Sequence, residues 1–136
     1  MKPLARVLPA LAWAGLLYWL SAQSTLPSAV FLFDGIDKLF HAGAYGVLAL
    51  LVWLALPRGN ERTRRVVLAL ALASAYGVSD EVHQHWVPGR TTDVFDWMAD
   101  TSGAALAVGG LELLLRRRRE AARTDVRTSE AGRSDA

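Results

Sequence analysis

Residues 39–56 read LFHAGAYGVLALLVWLAL, an apolar run that contains no Asp, Glu, Lys or Arg and ends at Pro57 and Gly59. A helix needs about 20 mostly apolar residues to cross the ~30 Å hydrocarbon core of a bilayer. Because this run has nearly that length and is followed at once by helix-ending residues, it predicts a transmembrane helix.

Three more apolar runs flank this one, at residues 4–22, 66–82 and 94–115. Pro9 lies inside the first run, and a membrane helix tolerates an internal proline better than a soluble helix does. The chain of 136 residues is long enough for one domain. The sequence therefore predicts an all-α membrane protein, a four-transmembrane-helix bundle over residues 1–115.

Two of the four runs have a second interpretation. The first follows the basic residues Lys2 and Arg6 and precedes the small residues Ser21 and Ala22, which is also typical of a cleaved signal peptide. The third is the shortest apolar run, and it is also compatible with a buried helix of a soluble bundle. The three apolar neighbours favour the membrane interpretation of each.

The basic residues are concentrated on one side of the predicted bundle. Of 15 Lys and Arg residues, 13 lie before the first run, between the second and third, or after the fourth, whereas Lys38 and Arg90 lie on the other side. Cytoplasmic loops of membrane proteins carry an excess of Lys and Arg. We therefore predict that both termini are cytoplasmic.

Residues 116–136 begin with four consecutive arginines and contain few large apolar side chains. Such a segment cannot bury enough apolar area to fold, so it predicts a basic, disordered cytoplasmic tail whose arginines contact anionic headgroups. The chain has no cysteine, which excludes disulfides, thiolate metal sites and cysteine nucleophiles.

Polar and titratable residues gather on the predicted extracytoplasmic side. Its acidic residues are Asp34, Asp37, Asp80, Glu81, Asp93, Asp96 and Asp100, and its histidines are His41, His83 and His85. Asp37, His41 and Tyr45 follow i, i+4 steps, which places them on one stripe at the mouth of the second predicted helix. Asp80 and Gln84 share a face in the same way, and a third stripe runs from Asp93 through Asp96 and Asp100 to the small residues Gly103 and Ala107, which permit close helix packing.

Three interpretations of these residues remain open. They can form an outer cap of ion pairs and helix-capping carboxylates, each stabilised by about 0.3–1 kcal/mol at a helix N-terminus. They can bind a divalent metal, although neither HExxH nor a pair of Glu-x-x-His motifs occurs, so no metal or other cofactor is assigned. They can also bind a polar headgroup, with Arg90 and Lys38 contacting phosphate. Arg90 is in addition the expected partner of some of the carboxylates, and Pro88–Gly89 before it predicts a turn.

These polar positions resemble the VanZ family of small bacterial membrane proteins over roughly residues 10–115. One block of the family pattern corresponds to Asp37, Lys38, His41 and Tyr45. A second block corresponds to Asp80, Glu81, Gln84, Pro88, Gly89, Arg90, Asp93, Asp96 and Gly103, and residues 21–24 are also similar. Where the family usually has Asn, this chain has Asp100. An ionised Asp only accepts hydrogen bonds and must be paired or protonated, so we expect Asp100 to be neutral or to pair with Arg90.

The resemblance implies a multi-pass protein of the bacterial inner membrane and cell envelope. The family is named for a protein associated with low-level resistance to the antibiotic teicoplanin, which acts on lipid-linked cell-wall precursor at the outer membrane face. Our leading hypothesis is a non-enzymatic protein whose extracytoplasmic residues bind an envelope lipid or precursor headgroup. The alternatives are a membrane hydrolase or transferase with His41, Asp80 or Glu81 as general base, and a small structural partner of a larger complex. Nothing in the sequence indicates a nucleic-acid partner or an oligomeric state.

The candidate functional residues, called the polar cluster below, are Asp37, Lys38, His41, Tyr45, Asp80, Glu81, Gln84, Arg90, Asp93, Asp96 and Asp100.

Overall fold

The structure, a computed structural model, describes residues 3–24, 35–57 and 61–134. Asp34 and Arg58, used above for the acidic side and for the orientation, lie outside the described residues. The described residues form four helices: α1 (Pro3–Ser21), α2 (Ile36–Ala55), α3 (Arg62–Gln84) and α4 (Val94–Ser134). Each is long and apolar enough to cross a membrane, which confirms the predicted fold class.

The ends of the helices follow from local sequence. Pro3 is the first residue of α1. Proline has no N–H group, but this costs no helical hydrogen bond here because the first N–H groups of a helix have no partner within the helix. Gly35 precedes α2 with φ +88°, a left-handed conformation that glycine adopts without steric cost. At the other end α2 stops before Pro57, whose ring disfavours a helical conformation in the residue before it.

Helix α2 lies at the centre of the bundle and packs against each of the other three helices. Its buried side chains Tyr45, Leu48 and Trp53 meet Ala69 and Ala73 of α3 and Ala104 and Val108 of α4. Alanine dominates this core because small side chains let membrane helices approach closely. Many large apolar side chains on the outer faces are exposed instead, as expected of helices that are surrounded by lipid.

Helix α4 approaches the backbone of α2 closely at Gly103. A Cβ atom at Gly103 would collide with the backbone carbonyl of Ala42. Gly46, one turn further along α2, lies against the Gly103 carbonyl, which would be 3.2 Å from a Cβ atom at that position. The small-residue stripe predicted on α4 is therefore its contact face with α2.

Helix α4 continues through the arginine block to Ser134. Every side chain that is described between Arg116 and Asp125 is exposed. Ala, Arg and Glu are good helix formers, so the backbone is helical without any apolar face to bury. The side chains described in the tail thus bury no surface against the bundle, in agreement with its composition.

Candidate functional site

The polar cluster lies at one end of the bundle, where α2 begins, α3 ends and α4 begins. Within each helix the residues follow the spacing predicted from the sequence, and the packing of α2 between α3 and α4 brings the three polar stripes together. Lys38 of α2, for example, contacts Asp93 and Asp96 at the start of α4.

The turn between α3 and α4 directs Arg90 toward this end. The Arg90 N–H donates to the Val87 carbonyl at 3.1 Å, across Pro88 and a Gly89 with φ +82°. Proline followed by a positive-φ glycine is the sequence preference of a type II turn. The predicted turn is present, and the Arg90 side chain after it lines the cavity described below.

Lys38 is the centre of the outermost layer. Its Nζ lies 3.2 Å from Asp37 Oδ2 and 2.7 Å from Asp93 Oδ2, and it also contacts Asp96 Oδ1. Asp93 caps α4 by accepting from the Phe95 N–H at 2.9 Å. The Lys38 ammonium and this backbone hydrogen bond hold the pKa of Asp93 below its usual value.

His41, Glu81 and Asp100 form a second layer that is further inside the bundle. His41 Nδ1 lies 2.9 Å from Asp100 Oδ1, and His41 Nε2 lies 3.9 Å from Asp96 Oδ2. Asp100 is fully buried. Glu81 Oε2 accepts from the Asp93 N–H at 2.9 Å, which ties the end of α3 to the start of α4.

Asp80, Gln84 and Tyr45 make the third layer, and all three are buried. The Gln84 amide donates to Asp80 Oδ2 at 3.3 Å, as the shared helix face predicts. The Tyr45 ring lies in the core beside Tyr76, with the two centroids 6.2 Å apart. This layer joins the polar cluster to the apolar core.

The structure differs from the prediction for Arg90. Among the described residues Arg90 forms no ion pair, and Asp100 contacts His41 rather than Arg90. The reason is geometric, because Asp100 lies two turns into α4 and faces α2, whereas Arg90 lies in the turn before α4. Within the part of the chain that the structure describes, no carboxylate is paired with the Arg90 guanidinium.

A cavity of about 300 Å³ separates Arg90 from the start of α2. Its polar wall contains His41, Asp80, Gln84 and Arg90. Its apolar wall is formed by Leu17 and Leu20 of α1 and by Phe40 and Ala44 of α2. Leu20 and Phe40 are also exposed on the outside of the bundle, so the apolar wall is continuous with the surface that faces lipid.

The other two histidines are outside the polar cluster. His83 packs on Tyr18 of α1, with the two ring centroids 4.4 Å apart. His85 is exposed after the end of α3 and lies edge-on to Trp86. Of the three histidines, His41 alone is joined to carboxylates by a described contact.

Sequence reasoning did not include two parts of the molecule. One is the α1 wall of the cavity, because its apolar residues look like any other lipid-facing turn. The other is Glu112, a buried carboxylate at the opposite end that lies 3.2 Å from Arg62 and 3.5 Å from Arg116. A lone Glu within an apolar run was a usable signal, because ionisable residues inside a membrane usually have a specific partner.

A comparison with protein families matches the VanZ/LLP1 model over residues 6–115. The chain belongs to the VanZ/LLP1 family. Comparison with the curated proteins and with the solved structures finds no match. Together with the four apolar helices, the family makes this VanZ/LLP1 chain a multi-pass membrane protein.

The matched residues contain the whole four-helix bundle and stop where the arginine block begins. In this VanZ/LLP1 bundle the two sequence blocks noted above meet at the same end. The first contributes Lys38 and His41 from α2, and the second contributes Glu81, Asp93 and Asp96, which contact or adjoin them.

Proposed function

We propose that this VanZ/LLP1 protein binds a phosphate-bearing lipid headgroup in the cavity between Arg90 and the start of α2, on the extracytoplasmic side of the bacterial inner membrane. The observation that carries the proposal is the Arg90 guanidinium, which lines the cavity and has no ion pair among the described residues. An arginine fork matches the oxygen geometry of a phosphate and binds it by charge-assisted hydrogen bonds.

The two unlike walls of the cavity suit an amphipathic ligand. The polar wall provides donors and acceptors for a headgroup, whereas Leu17, Leu20 and Phe40 provide an apolar surface for the first carbons of a chain. Because Leu20 and Phe40 are also exposed to the lipid side, the rest of the chain can remain in the bilayer.

The size of the cavity limits the ligand. At about 300 Å³ it lies at the lower end of the roughly 300–1,000 Å³ of small-molecule sites. This volume accommodates a phosphate or diphosphate group and the start of a chain, and it is too small for the sugar and peptide parts of a complete cell-wall precursor. We therefore infer that any precursor is held by its phosphate end.

Native mass spectrometry of the purified chain tests the proposal. The protein is released from detergent in the presence of phosphatidylglycerol, phosphatidylcholine or a polyprenyl phosphate. We expect the wild type to retain the two anionic lipids better than phosphatidylcholine, whose choline cation offsets its phosphate. Retention of the anionic lipids by Arg90→Gln should be at least about tenfold lower, since loss of a paired charge contact costs more than about 1.4 kcal/mol.

Arg64→Gln is the matched control, because Arg64 is an exposed arginine at the other end of the bundle. Equal retention by the wild type and Arg90→Gln would refute headgroup recognition at this cavity. A loss of equal size in Arg64→Gln would assign the lipid to the basic end instead.

A link to teicoplanin resistance is a separate part of the proposal. Binding of a precursor's phosphate end would act at the membrane face where that antibiotic finds its target. We expect expression of the chain in a susceptible Gram-positive host to raise the inhibitory concentration of teicoplanin, and Arg90→Gln to abolish the increase. An unchanged inhibitory concentration with the wild type would remove resistance from the function.

A membrane hydrolase or transferase is the second candidate, and the contact between His41 Nδ1 and Asp100 Oδ1 favours it. A carboxylate that orients an imidazole is a common arrangement for a general base. Release of inorganic phosphate from a polyprenyl diphosphate distinguishes the two functions. Binding without turnover supports the leading proposal, and turnover that is lost in His41→Gln supports the enzyme.

A further inference from the structure

The carboxylates of the polar cluster are unequally neutralised. Lys38 contacts the three outer carboxylates, those of Asp37, Asp93 and Asp96. No lysine or arginine among the described residues forms an ion pair with the three inner carboxylates, which are those of Asp80, Glu81 and Asp100. A carboxylate is expensive to bury without a compensating charge, and among the described residues the His41 imidazole is the one basic group in contact with any of these three.

Each of these three inner carboxylates also has one oxygen without a hydrogen-bond donor. These oxygens, Asp80 Oδ1, Glu81 Oε1 and Asp100 Oδ2, are buried and have no partner among the described residues. The other oxygen of each group is used, since Asp80 Oδ2 accepts from Gln84, Glu81 Oε2 accepts from the Asp93 N–H and Asp100 Oδ1 contacts His41. Buried acceptors of this kind are rare in native structures, and an ion is one of the explanations for them.

The second layer, formed by His41, Glu81 and Asp100, has the geometry of a cation site. His41, Glu81 and Asp100 each offer one ligand atom, and these atoms all lie within 4.8 Å of one another. Two ligands on the same Zn²⁺ are about 3–4 Å apart, because each bond is about 2.0–2.2 Å long. Shifts of up to about 1 Å, mainly in the half-buried side chains of His41 and Glu81, would therefore bring the three atoms to bonding distance.

We propose that His41, Glu81 and Asp100 bind one divalent transition-metal ion, with Zn²⁺ as the best match. Each of α2, α3 and α4 supplies one ligand. One imidazole with two carboxylates suits Zn²⁺ or Mn²⁺ better than Ca²⁺ or Mg²⁺, which prefer oxygen ligands alone. The ion would neutralise the inner carboxylates and join the three helices.

The surroundings of His41 fit a metal ligand. When Nδ1 holds the ion, the other ring nitrogen is turned toward Asp96, 3.9 Å away. Metal-binding histidines usually direct their second nitrogen to a carboxylate, which fixes the orientation of the ring. Three protein ligands leave at least one coordination position open for water or for an anion in the adjacent cavity, which His41 also lines.

Zinc binding by the full chain tests this site. The protein is purified in detergent, freed of its affinity tag and of bound metal by chelator, and titrated calorimetrically with ZnCl₂ and separately with MnCl₂, CaCl₂ and MgCl₂. We expect one Zn²⁺ per chain and a rise in the melting temperature on binding. Glu81→Gln and His41→Gln should each weaken the affinity at least about tenfold, because loss of even an indirect partner of a metal site costs about 10–100-fold.

Two features keep the test decisive. Glu81→Gln retains an oxygen for the Asp93 N–H, so this variant is expected to fold even when His41→Gln does not. His85→Gln is the matched control, because His85 is an exposed histidine near the same end of the bundle. We expect it to bind Zn²⁺ like the wild type.

Three results would overturn the assignment. These are the absence of stoichiometric Zn²⁺ or Mn²⁺ binding by the wild type, undiminished binding by Glu81→Gln, and a loss in His85→Gln as large as that in Glu81→Gln. The site does not depend on the proposed lipid ligand, because the titration contains detergent and metal salts alone.

Discussion

Asp100, at the position where the resemblance described above leads us to expect Asn, is among the most deeply buried of the described residues. Its Oδ1 lies 2.9 Å from His41 Nδ1, while its Oδ2 has no partner among the described residues. An asparagine could accept the same hydrogen bond from His41 without bringing a charge into the bundle. The free-energy cost of burying the Asp100 carboxylate therefore has to be offset by protonation of the group, by a charged His41 imidazolium or by the proposed metal ion.

We predict that Asp100→Asn is tolerated in metal-free protein, with a free energy of unfolding equal to the wild type or up to about 1 kcal/mol higher, because a buried charge is removed. Thermal unfolding in detergent after chelator treatment measures the effect. Asp37→Asn is the control, since that carboxylate is exposed at the edge of the polar cluster. Loss of folded protein in Asp100→Asn alone would mean that a charged His41 requires the ionised carboxylate.

The ion pair of Asp93 with Lys38 leads to a prediction about the stability of the protein at low pH. Its pKa is lowered in the folded protein by Lys38 and by the Phe95 N–H, so an unfolded chain takes up the proton first as the pH falls. The stability that this group contributes is complete above its unfolded pKa of about 3.9 and is lost as the pH falls through the lower folded value. Asp93→Asn keeps the helix cap, because Asn caps as well as Asp.

We therefore expect the melting temperature of Asp93→Asn to fall less steeply than that of the wild type below about pH 4. Melting curves over a pH series at low and high salt measure this, and salt should reduce the difference because the Asp93 carboxylate is partly exposed to solvent. Glu120→Gln, an exposed carboxylate on the tail of α4, should leave the slope unchanged. Identical slopes for the wild type and Asp93→Asn would contradict the role of Lys38.

At the scale of the helices, the contact of α2 with α4 depends on one missing side chain. A Cβ atom at Gly103 meets the Ala42 carbonyl, which is backbone and cannot rotate away, whereas Gly110 on the same helix has nothing within 4 Å of its Cβ position. The two glycines thus separate the effect of crowding from the general effect of alanine on a helix.

We predict that Gly103→Ala lowers the free energy of unfolding by about 1–3 kcal/mol or more, the usual cost of overpacking. Gly110→Ala should be neutral or stabilising, because alanine has the higher helix propensity. Thermal unfolding of both variants in the same detergent makes the comparison. Equal stability of the two variants would contradict the close approach of α2 and α4.

The sequence predicts the helices well and their rotations poorly. Hydropathy finds α2 because a bilayer requires a long apolar run, and the spacing of Asp37, His41 and Tyr45 gives the polar face of that helix. Which face of α4 meets α2 depends on packing. The mean hydropathy of a helix does not change when the helix is rotated about its own axis, so it cannot predict that face. For that reason the polar stripes were predictable, whereas the contact of Asp100 with His41 rather than Arg90 was not.

The tail of α4 illustrates a second limit of sequence patterns. Its composition predicts no packed structure, and the exposed side chains after Arg116 agree with this. The helical backbone follows from local propensity and from continuation of a helix that is already nucleated, which adds a hydrogen bond for each residue. Amino-acid composition predicts whether a segment can bury apolar surface. It does not predict whether a neighbouring helix extends into that segment.

At the scale of the whole molecule, the two ends of the bundle carry opposite charge, and different contacts stabilise the charged groups at each end. The end with the polar cluster is acidic and is neutralised by few cations. The other end is basic, and there the buried Arg65 donates to the Trp53 carbonyl at 2.6 Å with its guanidinium 4.1 Å above the Trp53 ring. Such a cation–π contact lets an arginine cover apolar surface at a membrane boundary.

This asymmetry predicts the orientation of the protein in the membrane. The loop between α2 and α3 and the residues after α4 carry most of the arginine, and such segments remain in the cytoplasm. The absence of cysteine makes the prediction simple to test, since every introduced thiol is the only one in the chain. Thr91, Glu61 and Ala121 are suitable positions because each is exposed and outside the polar cluster.

We predict that a membrane-impermeant maleimide labels Thr91→Cys in intact cells, whereas Glu61→Cys and Ala121→Cys become labelled after the inner membrane is opened. The reason is that Thr91 follows the turn at the acidic end, while the other two positions adjoin the arginine-rich segments. Labelling of all three in detergent confirms that each thiol is accessible. The reverse pattern would move the polar cluster to the cytoplasmic face, and the phosphate that we propose as the ligand of Arg90 would then have to come from the inner leaflet rather than from the face where the cell wall is built.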